Sequence, residues 1–448
     1  MQTIRVGNGC GFWGDNLDAP VRLVEKGELD YLTLEYLAEL TLSIMAHQRR
    51  RDPAAGYATD FVDALRRIAP LMREQSRLKI VTNAGGMNPK SCAAAARRVL
   101  DEAGLNDARI ALVTGDDLRD RLPELVRAGH EFRHLDTGEP LEPKLDRVVS
   151  ANAYLGAAPI VHGLAQGARV VITGRVADAS LTVAPAMHEF GWQPDDWRRI
   201  AGASVAGHLI ECGAQVTGGL YCNWNQVKDY DNFGYPIAVI AEDGSFEITK
   251  PPDTGGIVNR ETVIEQLLYE IGDPKDYLTP DVRADFTTLA LAKTPCGVRV
   301  TSATGRPPTD SYKVSIAFRD GFMASGVLAV YGAETAVGGS PARLKAELCG
   351  ALVFKRLERA NCLPHRFKVE VLGDRDPQRR SPVALRMAVH DPDRSVVARF
   401  CRELAPLATS GPPGIAGYAE ARPHPREVLA FWPALVNRAV MTAQVELL

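Results

Sequence analysis

LKIVTNAGGMNPKSCAAAARRVLDEAG, residues 78–104, places two periodicities side by side. LKIVT is a short apolar run of buried-strand type, and it ends at Asn83, Gly85 and Gly86. An Ala-rich helix follows, with Pro89 in its first turn and Gly104 as its stop. Strand, glycine turn and helix in that order form the repeating unit of a parallel sheet covered by helices. Working outward, the unit recurs. IRVGNG (4–9) precedes helix-like DAPVRLVEKG (18–27), and DYLTLEY (30–36) precedes LAELTLSIMAHQRRR (37–51). DFVDALRRIAPLMREQS (60–76) is amphipathic, with Phe61, Leu65, Ile68 and Met72 on one side. ARIALVTGDD (108–117) and ARVVITGR (168–175) are further buried strands.

The rhythm changes after about residue 235. YPIAVIAEDGSFEITK (235–250), GVRVTSATG (297–305), YKVSIAFRDG (312–321), RFKVEVLGD (366–374) and PVALRMAVHD (382–391) alternate and are bounded by turns, as antiparallel strands are. Helix-like VIEQLLYEIGD (263–273) and GSPARLKAELCGALVFKRLERAN (339–361) lie among them. The expected fold class is α/β. An N-terminal, mostly parallel sheet with flanking helices (1–238) is followed by an α+β domain (239–448), with the border near 230–245. A chain of 448 residues exceeds one ordinary core, which agrees with two domains.

Composition excludes several classes. A net charge of −3 offers no basic face to a nucleic acid. No apolar run approaches the ~18–20 residues that span a bilayer. MQTIRVG has none of the apolar stretch of a secretory signal, so the expectation is a cytoplasmic protein without nucleic-acid or membrane partners. The eight cysteines are scattered and no pair has CxxC spacing, so neither a metal nor a cofactor is expected.

Ligands of parallel sheets sit beyond the carboxyl ends of the strands, and several polar or Gly-rich segments collect there. Gly7-Asn8-Gly9-Cys10-Gly11 runs into bulky Phe12-Trp13, unlike a dinucleotide turn. Gly9 and Gly11 let the backbone approach either a ligand or a neighbouring strand. Asp15 either binds substrate or caps the next helix. Glu35 ends a buried strand, where a carboxylate is either paired or functional. Asn83 and Asn88 flank Gly85-Gly86, in an arrangement that suits hydrogen bonding to a carbonyl and equally suits a turn. Arg175 at a strand end suits a substrate carboxylate, unless Asp178 holds it as an ion pair. Asp116 and Asp117 fit an acid, a metal ligand or, best, a helix cap. His208, Glu211 and Cys212 share a helix face at i, i+3 and i+4, as a metal half-site, an acid–base pair or, best, a satisfied buried histidine. Thr217 and Gly218 continue into a turn beside them.

VGNGCGFWGD (6–15), DYLTLEYLAELTL (30–42), VTNAGGMNP (81–89), VVITGRVADASL (170–181), HLIECGAQVTGG (208–219), TVIEQLLYEIGDPKDYLTPDV (262–282) and SGPPGIAGYAEARP (410–423) together resemble the acyclic terpene utilisation AtuA family. The resemblance runs in order through nearly the whole chain. It implies catabolism of acyclic terpenoids, whose intermediates are branched, unsaturated acyl-CoA thioesters. Longer members carry a C-terminal ferredoxin-like domain, so the resemblance implies a short form in which that domain is either missing or supplied by a separate small partner of that fold.

The residues and the resemblance together give the expected function: hydratase or lyase chemistry on a small carboxylate or acyl-CoA. Glu35 and His208 are its base and acid, with Asp178 beside them. Asn83 and the amides of Gly85-Gly86 polarise a carbonyl, and Arg175 holds a free carboxylate. Gly9, Gly11, Asp15, Asn88, Thr217 and Gly218 complete the substrate pocket. The competing reading is a non-catalytic binding or scaffold subunit of an enzyme complex, and a flavin-dependent redox role is a third. A homo-oligomer is expected, with Phe431, Trp432, Leu435 and Val436 as interface anchors unless that segment folds back as a core helix.

Overall fold

The computed structural model describes residues 2–332, 341–373, 381–418 and 421–448. Gly339, Ser340 and Asp374 of the expected helix and strand, and Ala419 and Glu420 of the 410–423 motif, lie outside them.

The strand–turn–helix units build one sheet. Its strands include β1 (Thr3–Asn8), β2 (Tyr31–Leu34), β3 (Lys79–Thr82), β4 (Ile110–Thr114) and β6 (Val170–Thr173), with β5 (Val148–Ala153) outside the sheet. The parallel order is β1-β2-β3-β6-β4, with Val6 beside Tyr31, Ile80 beside Val170 and Ile110 beside Val170. Both faces of these strands are covered, which is why they read as continuous apolar runs. On one side, β7 (Ile237–Ala241) pairs antiparallel with β1 and then with β8 (Phe246–Thr249). Val298–Thr301 and Ala290–Lys293 extend that side, and Gln444–Leu447 pairs antiparallel with β4 on the other, giving a ten-stranded mixed sheet.

The helices follow the sequence periodicity. Thr59–Glu74 buries Phe61, Leu65, Ile68 and Met72. Pro89–Glu102 begins at its proline, is capped by the Asn88 side chain and stops before Gly104, which adopts φ 72°. These two helices cover one face of the sheet, and Ser180–Phe190 and Trp197–Ile210 cover the other, each with its own apolar core.

The chain divides into two compact units. One comprises residues 1–317 with 431–448, the other 318–430. The border expected near 230–245 falls inside the first unit, because β7 and β8 continue the sheet that β1 begins. The second unit is antiparallel: Arg366–Leu372 lies beside Val383–Asp391, which lies beside residues 322–330, which lie beside Ile415–Tyr418. Its helices Pro341–Arg359 and Arg394–Glu403 bury Val353, Leu357, Val397 and Phe400 against that sheet.

The C-terminal stretch is no core helix, and of its expected anchors Leu435 is 50% exposed while Trp432 and Val436 are buried. Arg426–Asn437 is a strand. Trp432 donates from Nε1 to Phe132 O at 2.8 Å. No helix among the described residues is long and apolar enough to cross a membrane.

Candidate functional site

Arg175 leaves the end of β6 and is almost fully buried. Its Nη2 donates to Asp178 Oδ1 at 2.6 Å and its Nη1 to Leu37 O at 2.5 Å. The guanidinium also lies 4.1 Å from the Tyr154 ring centroid. The backbone that presents it rests on Asp116, whose Oδ2 accepts from Arg175 N and from Asn152 Nδ2, both at 2.8 Å. Asp116 therefore holds the strand end and caps no helix, whereas Asp117 accepts from Arg119 N at 3.0 Å at the start of the next turn.

Glu35 follows β2 and is buried. Its Oε1 accepts from Leu37 N at 2.8 Å and from Asn83 Nδ2, and stands 3.8 Å from Arg175 Nη1. Its Oε2 has no hydrogen-bond partner. Burial, then the nearby Asp178, push the Glu35 pKa well above the usual carboxyl range against the pull of Arg175 and the two donors. With Oε1 already accepting twice, the proton belongs on Oε2.

His208 and Glu211 meet as the helical spacing requires, with Nδ1 and Oε1 3.2 Å apart. His208 Nε2 lies 2.9 Å from Gln266 O, and a carbonyl only accepts, so Nε2 carries the hydrogen. Tyr277 and Phe286 flank the ring at 5.4 and 5.5 Å. Burial lowers the His208 pKa to about 4, so the ring is neutral and Nδ1 is a bare acceptor. Glu211 complements it: burial, then Asp178 and Glu270, raise its pKa well above the ordinary value. Glu211 is thus a carboxylic acid that donates to His208 Nδ1, and its Oε2 is unpartnered. Asn8 fixes this helix end by donating from Nδ2 to Ile210 O at 2.7 Å and Glu211 O at 2.9 Å.

Glu39 provides contrast. Burial disfavours its charge, but Lys313 Nζ at 3.2 Å, helped by Tyr154 Oη at 3.0 Å, more than offsets this and lowers its pKa to about 2. Asp178 is raised by burial despite Arg175, and its one-third exposure tempers that rise.

These groups wall two adjoining cavities of about 330 and 500 Å³, which share Glu39, Asp178, Glu211 and Glu270. Tyr154, His208, Tyr277 and Lys313 complete the first, and Gly11, Asp15, Glu35 and Arg175 line the second. Of the expected site residues, Glu35, Asp178, Arg175, His208, Asp15 and Gly11 are therefore gathered at one cleft.

The others are occupied elsewhere, and Asp15, though at the cleft, is tied up in its own loop. A Cβ on Gly9 would lie 2.7 Å from Pro20 Cβ, so that glycine admits a neighbouring helix. Asp15 caps no helix: it accepts from Gly11 N at 2.9 Å and from Tyr235 Oη at 2.6 Å, closing its own loop. Asn83 is fully buried and is taken up by Glu35 and by Tyr36 N at 2.8 Å. Asn88 caps its helix and donates to Pro53 O and Ala55 O. Gly85 and Gly86 pack beneath it, away from both cavities, against Thr173 O and Met45. Thr217 donates to Ala214 O and Gly234 O, and Gly218 adopts φ 107° in the same turn.

Sequence reasoning did not select Asn8, Glu39, Tyr154, Tyr277 or Lys313. Asn8 carried a signal as a polar residue among glycines at a strand end. Lys313 carried none, because it lies 274 residues from the Glu39 it pairs with. Among the described residues, no three His, Cys, Asp or Glu side chains are placed to hold a metal ion.

The model of the family described as "Acyclic terpene utilisation family protein AtuA" matches residues 4–447. No curated protein and no solved structure matches the chain.

Proposed function

The chain belongs to the acyclic terpene utilisation family AtuA, and from that premise we propose that it performs acid–base chemistry of hydratase or lyase type on an unsaturated acyl thioester. Two buried carboxyl oxygens, Glu35 Oε2 and Glu211 Oε2, carry the reading: both are unpartnered and both groups line the second cavity. Burial raises the pKa of both acids well above the ordinary carboxyl value, which favours their protonated, donating form.

Addition of water across an alkene conjugated to a carbonyl needs a base for the water, an acid for the α-carbon and a donor to the developing enolate oxygen. Asp178, oriented by Arg175, takes the proton of the water. Glu211 delivers its one proton, which in the resting site it donates to His208 Nδ1, to the α-carbon, and Asp178 passes the proton taken from the water back to Glu211 to close the cycle. Glu35 Oε2 donates to the carbonyl oxygen, in place of the amides of Gly85-Gly86. Arg175 is engaged by Asp178, Leu37 O and Tyr154. It is thus not free to grip a substrate carboxylate, which favours a thioester over a free acid.

Purified protein incubated with a panel of branched enoyl thioesters should consume the conjugated absorbance. Glu211→Gln should slow this by about a hundredfold or more. The value of kcat/KM should fall as pH rises through the raised pKa of Glu211, because the acid must hold its proton. Full turnover by both Glu35→Gln and Glu211→Gln would refute the assignment.

A further inference from the structure

We infer that the chain forms a two-fold dimer through the strand Arg366–Leu372. This strand is at the edge of the second unit's sheet and pairs with Val383–Asp391 on one side only, among the described residues. Phe367, Val369 and Leu372 on it are 49%, 37% and 53% exposed. An edge of this kind is normally blunted by a proline, a bulge or charged side chains, because it templates pairing with another chain, and the charges on this one, Arg366, Lys368 and Glu370, are of both signs. Here the strand contains no proline and its register with Val383–Asp391 is unbroken from Arg366 to Leu372. The one side chain that reaches its backbone among the described residues is Arg343, 3.3 Å from Val371 O.

The occupant is a second copy because RFKVEVL is complementary to itself. Laid antiparallel about Val369, it sets Lys368 opposite Glu370 of the second copy and Glu370 opposite Lys368 of the second copy. Phe367 then faces Val371, so the apolar and charged faces each continue across the axis. Sliding the copies by two residues in either direction sets Lys368 against itself or Glu370 against itself. Like charges directly opposite are destabilising, so charge selects the Val369-centred register. On the apolar face Phe367 already stacks on Phe354 at 4.2 Å, which holds it ready beside the axis.

Light scattering after size exclusion, on the full chain at micromolar concentration, should give about twice the 48.6 kDa chain mass. Lys368→Glu should raise the dimer dissociation constant about tenfold, and so should Glu370→Lys. Because each single substitution also breaks the Lys368–Glu370 pair within the strand, and Glu370→Lys the pair with Arg386, the decisive comparison is with the double variant. Lys368→Glu with Glu370→Lys restores opposite charges across the axis and should return the constant towards the parent value. Lys293→Glu, on the exposed edge strand of the other sheet, should change nothing. A monomer of the parent chain would overturn the inference, and so would an oligomer indifferent to the two single substitutions.

Discussion

Asp116 shows how one buried carboxyl ties stability to pH. It accepts from Arg175 N and Asn152 Nδ2, yet burial dominates and pushes its pKa up to about 6. The unfolded value is about 3.9, so between these two the folded state binds the proton more tightly. Its contribution to stability is therefore full in acid and is lost as pH rises through about 6, a change of roughly 3 kcal/mol. His208, lowered to about 4, acts with the opposite sign across pH 4 to 6.5 and masks the effect in the parent chain. Asp116→Asn should remove the Asp116 share. Urea unfolding at pH 5 and pH 7.5 should then show stability gaining more on the alkaline side in the variant than in the parent, and equal slopes would disprove this. At this scale the sequence revealed residue types better than their company. Glu35 stood out because a carboxylate ending an apolar run needs a reason. Asn83 looked like a substrate contact, because nothing local says that Glu35 and Tyr36 N already use it.

The helix Trp197–Ile210 carries His208 and crosses Ser180–Phe190 with no room to spare. A Cβ on Gly207 would lie 2.8 Å from both Ala179 Cα and Ala179 O. Alanine gains up to about 1 kcal/mol of helix propensity over glycine. Overpacking costs about 1–3 kcal/mol, and backbone atoms cannot step aside as a side chain can. Gly207→Ala should therefore lower the melting temperature. It should also depress kcat, because the neighbouring His208 moves with the helix. Unchanged melting and turnover would show that the two helices separate freely. Periodicity made elements legible where burial is one-sided, as in Thr59–Glu74. It failed at Arg426–Asn437, because Trp432 is buried by way of partners such as Phe132 O, 300 residues away, which no local pattern announces.

For the whole molecule, alternation in the sequence reported how strands pair and not which unit they join. β7 and β8 read as antiparallel and so were grouped with the second half, although they complete the first unit's sheet through β1. Each unit has its own apolar core. Calorimetry should therefore resolve two transitions. Phe61→Ala should lower one of them and Phe400→Ala the other, each costing about 3–5 kcal/mol. A single transition shifted by both substitutions would show one cooperative block.

The strand Gln444–Leu447 closes the free side of β4, and this has a consequence for biosynthesis. β4 leaves the ribosome early, but the segment that zips onto it is made about 330 residues later. At about 5–20 residues per second, the nascent sheet stays adhesive on that flank for roughly tens of seconds. A product cut off just before residue 444 retains every group of the cleft and still bares the flank of β4. Such a shortened chain would be lost to clumping and proteolysis before any defect in chemistry could be measured, so this late-made strand acts as a cover for the flank of β4.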